Sequence, residues 1–447
     1  MRDERQDFGA IERLDREVVS RRSSEELERL LRHAVATVPH YRDVFGRQGG
    51  TAASSLHAED LYRFPVLRRA EVRDGVRSGR LLSRRVPWWR RVPTSTTGST
   101  GIPLRFFGDT RSRRPRGLGW RLLNAWAGIR DEERLVRMTV PRPRPSWSPH
   151  QPFRSFRRMV RFRQPRDLIS IYGLVDDDVP GIVRALSDIG EPYSIYGISS
   201  HIYLVAREGL ARDLRPPAGP RAVVGTSEGF LTRHREAVSA FLRCPAYSRY
   251  GAYEVGGGVA QTCPDNPGVH HVVSELVIAE VVDDDLRPVA PGEPGRVLLT
   301  DLTNFAMPLI RYDIGDVAVA AAGCRCGRPW PVLGEITGRF SDRIVTDDGA
   351  SHPALELEVA LFYYHTDLAK DILQYQFVQR GPGDLEILYV PRSEPDPRTA
   401  EAIRQALLEP LRGKARITVT PVSRIEGQDS GKRRLVVQGE AAPRSES

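Results

Sequence analysis

Lysine is almost absent from this sequence of 447 residues. Lysine and arginine together number 66, yet lysine occurs only at Lys370, Lys414 and Lys432. A bias this strong indicates the base composition of the genome, so an individual arginine carries little information. A lysine that persists is more informative, because a site that needs a compact ammonium group cannot accept a guanidinium.

Cysteine and long apolar runs are also scarce. The sequence has four cysteines, which are too few for a disulfide-stabilised fold of this size. It has no run of about 18 apolar residues that would form a membrane-spanning helix. The charged first residues, MRDERQD, are not followed by the apolar segment of a secretion signal. We therefore expect a cytoplasmic protein without a membrane partner.

Acidic residues are fewer than basic ones, and the formal net charge is +9. Such a balance permits a polyanionic partner or substrate. Between Pro141 and Arg166, proline and arginine alternate with aromatic residues, a pattern that binds single-stranded nucleic acid by charge and stacking. No other nucleic-acid motif accompanies it. We interpret this basic segment as a surface excursion or lid, and we expect no nucleic-acid partner.

Residues 94–103, TSTTGSTGIP, consist almost entirely of small hydroxyl residues and glycine. Glycine lets backbone N–H groups converge on an anion, and each hydroxyl adds a donor. The pattern is not a P-loop, which needs Gly-Lys followed by Ser or Thr, and a flexible linker would have the same composition. The strand-like apolar flanks favour a polyphosphate-binding loop. Its candidate ligands are Thr96, Thr97, Gly98, Ser99, Thr100 and Gly101.

From Ile169 onwards, strand-like and helical segments alternate. This alternation predicts an α/β fold with largely parallel sheets and with ligands at the strand ends. Residues 250–258, YGAYEVGGG, place one carboxylate, Glu254, among glycines and aromatic rings. Such a loop suits a magnesium ion and a stacked planar ligand, although an acidic turn beside a buried tyrosine would have the same sequence.

Three further segments are candidates for ligand contact. Residues 308–316, PLIRYDIGD, end an apolar strand in carboxylates that can accept hydrogen bonds from ribose hydroxyls, and an ordinary strand-ending turn would look the same. Residues 338–344, GRFSDRI, predict a turn between two strands. Residues 429–434, DSGKRR, predict a polar turn that contains Lys432.

The cysteines offer a candidate metal site. Its predicted ligands are Cys263, His270, Cys324 and Cys326. Three thiolates with one imidazole are a common zinc set, and His271 is an alternative to His270. Reduced cysteines in separate loops are the other interpretation, and Cys244 is expected to be a core thiol.

These segments occur in the order and at the spacing found in adenylate-forming enzymes. The chain most resembles the phenylacetate-CoA ligase branch, especially its capsular-polysaccharide-biosynthesis-like members. Residues 38–42 (VPHYR), 300–312 (TDLTNFAMPLIRY) and 324–328 (CRCGR) support the resemblance. It covers nearly the whole chain and is firmest between residues 250 and 343.

The resemblance implies a fold and a set of roles. The fold would be a large N-terminal adenylation domain of sheets flanked by helices, residues 1–340, and a small mobile α+β C-terminal domain, residues 341–447. Glu254 would hold magnesium, and Lys432 would stabilise charge at the α-phosphate, with Lys414 as a weaker candidate. The other nucleotide contacts would come from the hydroxyl loop and from Ser227, Glu228, Gly229, Tyr250, Gly251, Asp316 and Arg339.

The implied reaction is activation of a carboxylic acid by ATP to acyl-AMP, followed by transfer to the thiol of CoA. The glycines at 256–258 suggest an aromatic or other bulky acid. Because the basic segment replaces a part of the phenylacetate-CoA ligases that helps to form their acyl pocket, phenylacetate itself is not the expected substrate. Relatives with the same cysteines resemble structural zinc proteins, and a homodimer is compatible with the sequence.

Two other functions fit the same residues. The acyl group could pass from AMP to an amine or to a carrier-protein thiol. Alternatively, the chain could be a non-catalytic, arginine-rich binder of nucleic acid or membrane built on a ligase scaffold. The complete set of Glu254, Asp316, Arg339 and Lys432 argues against this last function.

Overall fold

The computed structural model divides into two compact units. One comprises the chain up to Ile314 together with Ala318–Ile336, and the other comprises Gly315–Val317 and the chain from Thr337 onwards. The sequence predicted the division after residue 340. The structure describes residues 14–47, 53–95, 104–139, 168–170, 178–189, 192–214, 216, 219–339, 343–354, 357, 360–361, 368–425 and 435–439.

The first unit begins with a helical layer. Its helices are α1 (Arg16–Thr37), α2 (Pro39–Arg47) and α3 (Arg69–Arg77), with short 3-10 helices at Ala53–Ser55, Ala58–Arg63 and Trp88–Arg90. The Asp15 carboxylate begins α1 by accepting a 2.8 Å hydrogen bond from the Val18 N–H, which satisfies one of the free donors of the first turn. Leu27, Leu30 and Leu31 share one face of α1 and are buried in the core.

A hairpin follows this layer. Strands β1 (Arg91–Ser95) and β2 (Arg105–Asp109) are antiparallel, with Ser95 opposite Arg105. The hydroxyl residues 96–101 fall in the connection between the two strands, outside the described residues. After a 3-10 helix at Thr110–Ser112, helix α4 (Arg113–Trp126) corresponds to the amphipathic helix that the sequence predicts.

An eight-stranded sheet forms the centre of the first unit. Its strands, in sheet order, are β13 (Val332–Leu333), β9 (His270–Val272), β8 (Gly257–Thr262), β7 (Ala246–Ala252), β6 (Val223–Thr226), β5 (Tyr193–Ile198), β3 (Arg134–Thr139) and β4 (Leu168–Ser170). Helices α5 (Asp178–Ser187), α6 (Ser199–Ala211) and α7 (Thr232–Leu242) connect the later parallel strands. A mixed α/β fold was predicted, and it is confirmed.

The sheet is parallel in one half only. Strands β4, β3, β5, β6 and β7 are parallel, whereas β8, β9 and β13 pair antiparallel. The prediction of largely parallel sheets holds where helices separate the strands. Beyond β7 the chain turns directly from β7 into β8, and a short turn can join only antiparallel strands.

A second sheet contains the strands through which the chain passes from the first unit into the second. Its order is β10 (Val277–Val282), β11 (Pro294–Asp301), β12 (Tyr312–Val319) and β14 (Ile336–Arg339). The chain enters the second unit within β14.

The second unit has its own core. Strands β15 (Arg343–Val345) and β16 (Ser351–Pro353) form a hairpin, and a four-stranded sheet has the order β19 (Arg416–Pro421), β18 (Asp384–Pro391), β17 (Ile372–Gly381) and β20 (Val436–Gln438). Its described helices are α8 (Leu368–Asp371) and α9 (Pro397–Leu408). Phe377, Ile387 and Leu407 are buried together between the sheet and α9, so this unit buries a core independent of the first.

In the part of the chain that the structure describes, no helix combines the length and apolar character needed to cross a bilayer.

Candidate functional site

The carboxyl ends of β6 and β7 bring two predicted segments together. These strands are parallel neighbours, with Thr226 opposite Arg249, and the Thr226 hydroxyl donates to the Arg249 carbonyl over 3.1 Å. Residues 227–229 follow β6 directly, next to Tyr250 in β7. Ser227 has a φ of +76°, a left-handed conformation that turns the chain sharply away from the strand. Ligands of α/β sheets bind at such strand ends.

Gly251 lies where β7 and β8 come closest. A Cβ at this position would be 2.0 Å from the carbonyl oxygen of Gly257. Only glycine fits there without moving the turn that carries Glu254. The glycine after Tyr250 is therefore required by backbone packing, whatever ligand the turn holds.

Glu254 lies in the turn between β7 and β8, with 7% of its surface exposed. Its Oε1 is 3.8 Å from the Nη1 of Arg69 on α3. A single carboxylate suits magnesium, which binds proteins through one or two carboxylates and takes its other ligands from water and substrate phosphates. Glu254 fits such a role, with the Arg69 guanidinium as a neighbouring positive charge.

Two arginines occupy the space beside the glycine run 256–258. A Cβ on Gly256 would lie 1.9 Å from the Cζ of Arg116, and one on Gly258 would lie 2.9 Å from the Cδ of Arg249. These glycines therefore make room for arginine side chains of the protein itself. The glycine run is therefore not evidence for a bulky acyl group, although the sequence had suggested one.

Sequence reasoning missed Arg249, which is 2% exposed. Its Nε donates to the Gln261 amide oxygen over 2.8 Å, and its Nη1 donates to the Asn124 amide oxygen over 3.0 Å. The guanidinium also lies 4.5 Å from the centre of the Trp120 ring, and burial lowers the pKa of Arg249 to about 10. The signal in the sequence was a charged residue immediately before Tyr250 in a buried strand.

Arg116 was missed as well, and no sequence pattern distinguished it from the other arginines. Its Nη2 is 2.7 Å from the Asp301 carboxylate, and its Nε donates to the Thr303 hydroxyl over 3.0 Å. Asp301 also accepts from the Thr303 N–H over 2.9 Å. This network joins α4, the end of β11 and the turn beyond Glu254.

The remaining predicted residues belong to the second unit or lie outside the described residues. Asp316, in β12, and the backbone of Arg339, in β14, belong to the second unit. Thr96 to Gly101 and Lys432 lie outside the described residues. Their predicted contacts with a nucleotide stay predictions.

Three cysteines and one histidine form a compact cluster at the antiparallel side of the sheet. The ligand atoms of Cys263, His271, Cys324 and Cys326 all lie within 4.8 Å of one another. The Sγ atoms of Cys263 and Cys324 are 3.7 Å apart, and the Cys326 Sγ is 3.1 Å from the His271 Nε2. Tetrahedral zinc with Zn–S bonds of 2.3 Å separates two thiolates by about 3.8 Å, so the donor set and spacing fit zinc.

The histidine of this cluster is His271, and the predicted His270 lies elsewhere. Successive side chains of a strand point to opposite faces, and both residues lie in β9. The His270 Nδ1 is 3.1 Å from the Gly334 carbonyl oxygen, and burial lowers its pKa to about 3. His270 is therefore a neutral core histidine. His271, the alternative candidate from the sequence, joins the cysteines instead.

Contacts around the cluster orient its donors. The His271 Nδ1 is 3.4 Å from the Trp330 carbonyl oxygen; if it carries the proton, Nε2 is left with its lone pair toward Cys326. Burial lowers the pKa of His271, which favours the neutral imidazole. Burial raises the pKa of Cys263 to about 12. Cys244 lies in the core away from these residues, as predicted, and burial raises its pKa to about 12.

Comparisons with known proteins relate the chain to acid-CoA ligases. It is 25% identical over 402 residues to the phenylacetate-coenzyme A ligase of Thermus thermophilus, covering 84% of this chain and 81% of that protein. It is 25% identical over 333 residues to the phenylacetate-coenzyme A ligase of Pseudomonas putida, covering 72% of this chain and 71% of that one. No protein-family model matches the chain.

A solved structure shows the same fold. A 2-hydroxyisobutyryl-CoA ligase in the postadenylation state, in complex with R3-HIB-AMP, superposes with a TM-score of 0.68 at 18% identity, covering 93% of this chain and 88% of that one. The similarity extends over both units, although identity at this level speaks for the fold alone.

Proposed function

We propose that this chain, a member of the adenylate-forming ligase superfamily, activates a carboxylic acid with ATP and transfers the acyl group to the thiol of CoA. The observation that carries the proposal is the similarity to phenylacetate-coenzyme A ligases over 84% of the chain. The same similarity supports an aromatic or other bulky acid, whereas the glycine run 256–258 does not.

The first step joins the acid to AMP. A carboxylate oxygen of the acid attacks the α-phosphorus of ATP, and pyrophosphate leaves. Tyr250 would stack on the adenine, with the backbone of residues 227–229 at its edge, and Thr96 to Gly101 would wrap the phosphates. Magnesium held by Glu254 would neutralise charge on the phosphate oxygens. Such positioning and electrostatic stabilisation supply most of the acceleration at phosphorus.

Residues of the second unit would complete this step. Asp316 and Arg339 would hold the ribose hydroxyls, and the Lys432 ammonium would stabilise the charge that develops at the α-phosphate. A lysine retained in a sequence that otherwise uses arginine fits a role for a compact, point-like cation.

The second step forms the thioester. The sulfur of CoA attacks the acyl carbon, and AMP leaves with the oxygen that joined it to the acyl group. We propose that the second unit, from about residue 341, rotates about Ser341 and Asp342 between the two steps, a hinge motion that lets one site perform both. If the acceptor is an amine or a carrier-protein thiol instead of CoA, the first step is the same.

We propose that Cys263, His271, Cys324 and Cys326 hold a structural zinc ion. Four protein ligands leave no open position for substrate or water, which distinguishes a structural zinc site from a catalytic one. The ion would tie the Cys324–Cys326 loop to β9 and so stabilise this side of the sheet.

ATP–pyrophosphate exchange against a panel of aromatic, branched and short-chain acids tests the proposal. We expect exchange with at least one acid, and replacement of Lys432 by alanine should slow it by about two orders of magnitude or more, since one lost electrostatic donor costs that much. Lys414→Ala is the matched control, because among the described residues Lys414 makes its hydrogen bonds through the backbone, which alanine retains. The Asp347 N–H donates to the Lys414 carbonyl over 2.9 Å, and the Lys414 N–H donates to the Leu411 carbonyl over 2.9 Å.

Two results would count against these assignments. An exchange rate that Lys432→Ala leaves unchanged would remove the catalytic role of this lysine. No exchange with any acid, in a folded protein with saturating magnesium and ATP, would instead favour the non-catalytic binder.

A further inference from the structure

A cavity of about 670 Å³ opens in the first unit beside the base of the β1–β2 hairpin. Its size suits a small-molecule ligand, because such sites enclose roughly 300–1,000 Å³. Five arginines line it, from α1 and from the segments that precede β1 and α4: Arg22, Arg29, Arg85, Arg90 and Arg111. We call it the arginine cavity.

Part of this positive charge is already neutralised. Arg90 donates to both carboxylate oxygens of Asp109, at 2.8 and 2.6 Å, and Arg29 forms an ion pair with Glu26. Glu26 lines the cavity, as do Glu25 and Glu275. The lining still contains more guanidinium groups than carboxylates, so its net charge is positive.

Three of the arginines have no partner for their side chains. Among the residues that the structure describes, the guanidinium groups of Arg22, Arg85 and Arg111 have no ion pair and no hydrogen bond. All three side chains are exposed to solvent. Free guanidinium groups at a concave surface favour phosphate, which they can bind through two parallel N–H donors.

An exposed aromatic pair lies in the chain segment that lines one side of the cavity. Trp88 and Trp89 are 76% and 68% exposed, and they lie in the chain between Val86 and Arg90, both of which line the arginine cavity. The Arg91 guanidinium closes this loop by donating to the Val86 carbonyl over 2.8 Å. Exposed indole rings close to cationic groups can stack on a nucleotide base.

The inner wall of the arginine cavity connects to the candidate active site. Thr303 lines the cavity, and its hydroxyl accepts from the Arg116 Nε over 3.0 Å. The Arg116 guanidinium in turn lies against Gly256, two residues after Glu254. One layer of side chains therefore separates the cavity from the turn that carries Glu254.

We propose that the arginine cavity binds the nucleotide part of CoA, with Arg85 and Arg111 on its phosphates and Trp88 or Trp89 against its adenine. A long flexible arm joins the nucleotide of CoA to its thiol, so a nucleotide held here could deliver the sulfur past the Thr303 and Arg116 wall. The inference rests on the proposed transfer to a thiol, and it selects CoA over an amine or a thiol without a nucleotide.

The test separates the two steps of the reaction. In the double variant Arg85→Gln, Arg111→Gln, we expect the KM for CoA to rise at least a hundredfold, because each replacement removes a charged hydrogen bond to phosphate and each such bond accounts for about a tenfold change or more. ATP–pyrophosphate exchange should stay within about twofold of the wild type. Arg84→Gln is the matched control, because Arg84 is exposed but does not line the cavity.

Pantetheine, which has the thiol arm of CoA without its nucleotide, gives a readout that a structural role would not move. The wild type should prefer CoA to pantetheine, and the double variant should lose most of that preference. A CoA preference equal to that of the wild type, with exchange intact, would overturn the proposal.

If the wild type shows no exchange and the proposed function fails, direct binding still tests whether the arginine cavity binds a nucleotide. Adenosine 3′,5′-bisphosphate, a nucleotide fragment of CoA, is titrated by calorimetry into the wild type, the double variant and Trp88→Leu, Trp89→Leu. Weaker binding to both variants would support the cavity as a nucleotide site. Equal binding to all three proteins, or no binding to any, would refute it.

Discussion

His270 and His271 are adjacent in the chain, and their side chains have different surroundings. His271 faces three cysteines, and its Nε2 is 3.1 Å from the Cys326 Sγ. His270 points the other way, toward the Gly334 carbonyl. The alternation of side chains along β9 produces this difference. At the scale of single residues, the face of the strand that a side chain occupies decides which histidine joins the cysteine cluster.

Metal content tests this assignment. We expect one zinc per wild-type chain, and His271→Asn should lose most of it and lower the melting temperature, because a structural zinc site contributes to folding. His270→Asn is the matched control: its amide can replace the Nδ1 contact with Gly334, and it should keep the zinc. The measurement is elemental analysis after dialysis, with thermal unfolding of each variant. Equal zinc in both variants would contradict the assignment.

The three cysteines of the cluster were predictable, and the choice between the histidines was not. Cys324 and Cys326 have the close spacing of metal ligands, and Cys263 lies near both histidines in sequence. Choosing the histidine requires the register of β9 against β8, where His271 is opposite Gln261. That register depends on pairing across the sheet, which a local pattern does not encode. For the same reason, the buried Arg249 looked like one arginine among many.

The β7–β8 turn is the element on which the candidate active site depends. It begins where the central sheet changes from parallel to antiparallel pairing. It carries Glu254 and follows the strand that contains Tyr250. Its sequence predicted a ligand-binding loop. The Arg116 side chain beside Gly256 was not predictable, because it comes from α4, a distant part of the chain.

Gly251→Ala tests the close packing of this turn. A Cβ would be 2.0 Å from the Gly257 carbonyl oxygen, so the turn must shift, and overpacking of this kind costs about 1–3 kcal/mol. We expect a lower free energy of unfolding and slower exchange. Gly117→Ala is the control, since Gly117 lies in α4 with open space around it, and alanine there should be neutral or stabilising by up to about 1 kcal/mol. Equal stability of the two variants in chemical denaturation would show that the turn tolerates a side chain.

At the scale of the whole molecule, the chain is an α/β protein of two compact units. The structure divides the chain within β14, after Ile336, whereas the sequence predicted a division after residue 340. The predicted boundary followed from the resemblance and from the turn expected at residues 338–344. The rotation of the second unit and the approach of Lys432 to the nucleotide stay predictions, because they concern a second arrangement of the same units.

The central claim is that a carboxylate oxygen of the substrate attacks the α-phosphorus of ATP, and its most direct test follows that oxygen. An acid that supports exchange is labelled with ¹⁸O in its carboxylate and incubated with the protein, ATP, magnesium and CoA, and the products are analysed by mass spectrometry. The account predicts AMP that carries one ¹⁸O atom and a thioester that retains the other. ADP together with labelled inorganic phosphate would contradict it, because the acid would then have attacked the γ-phosphorus.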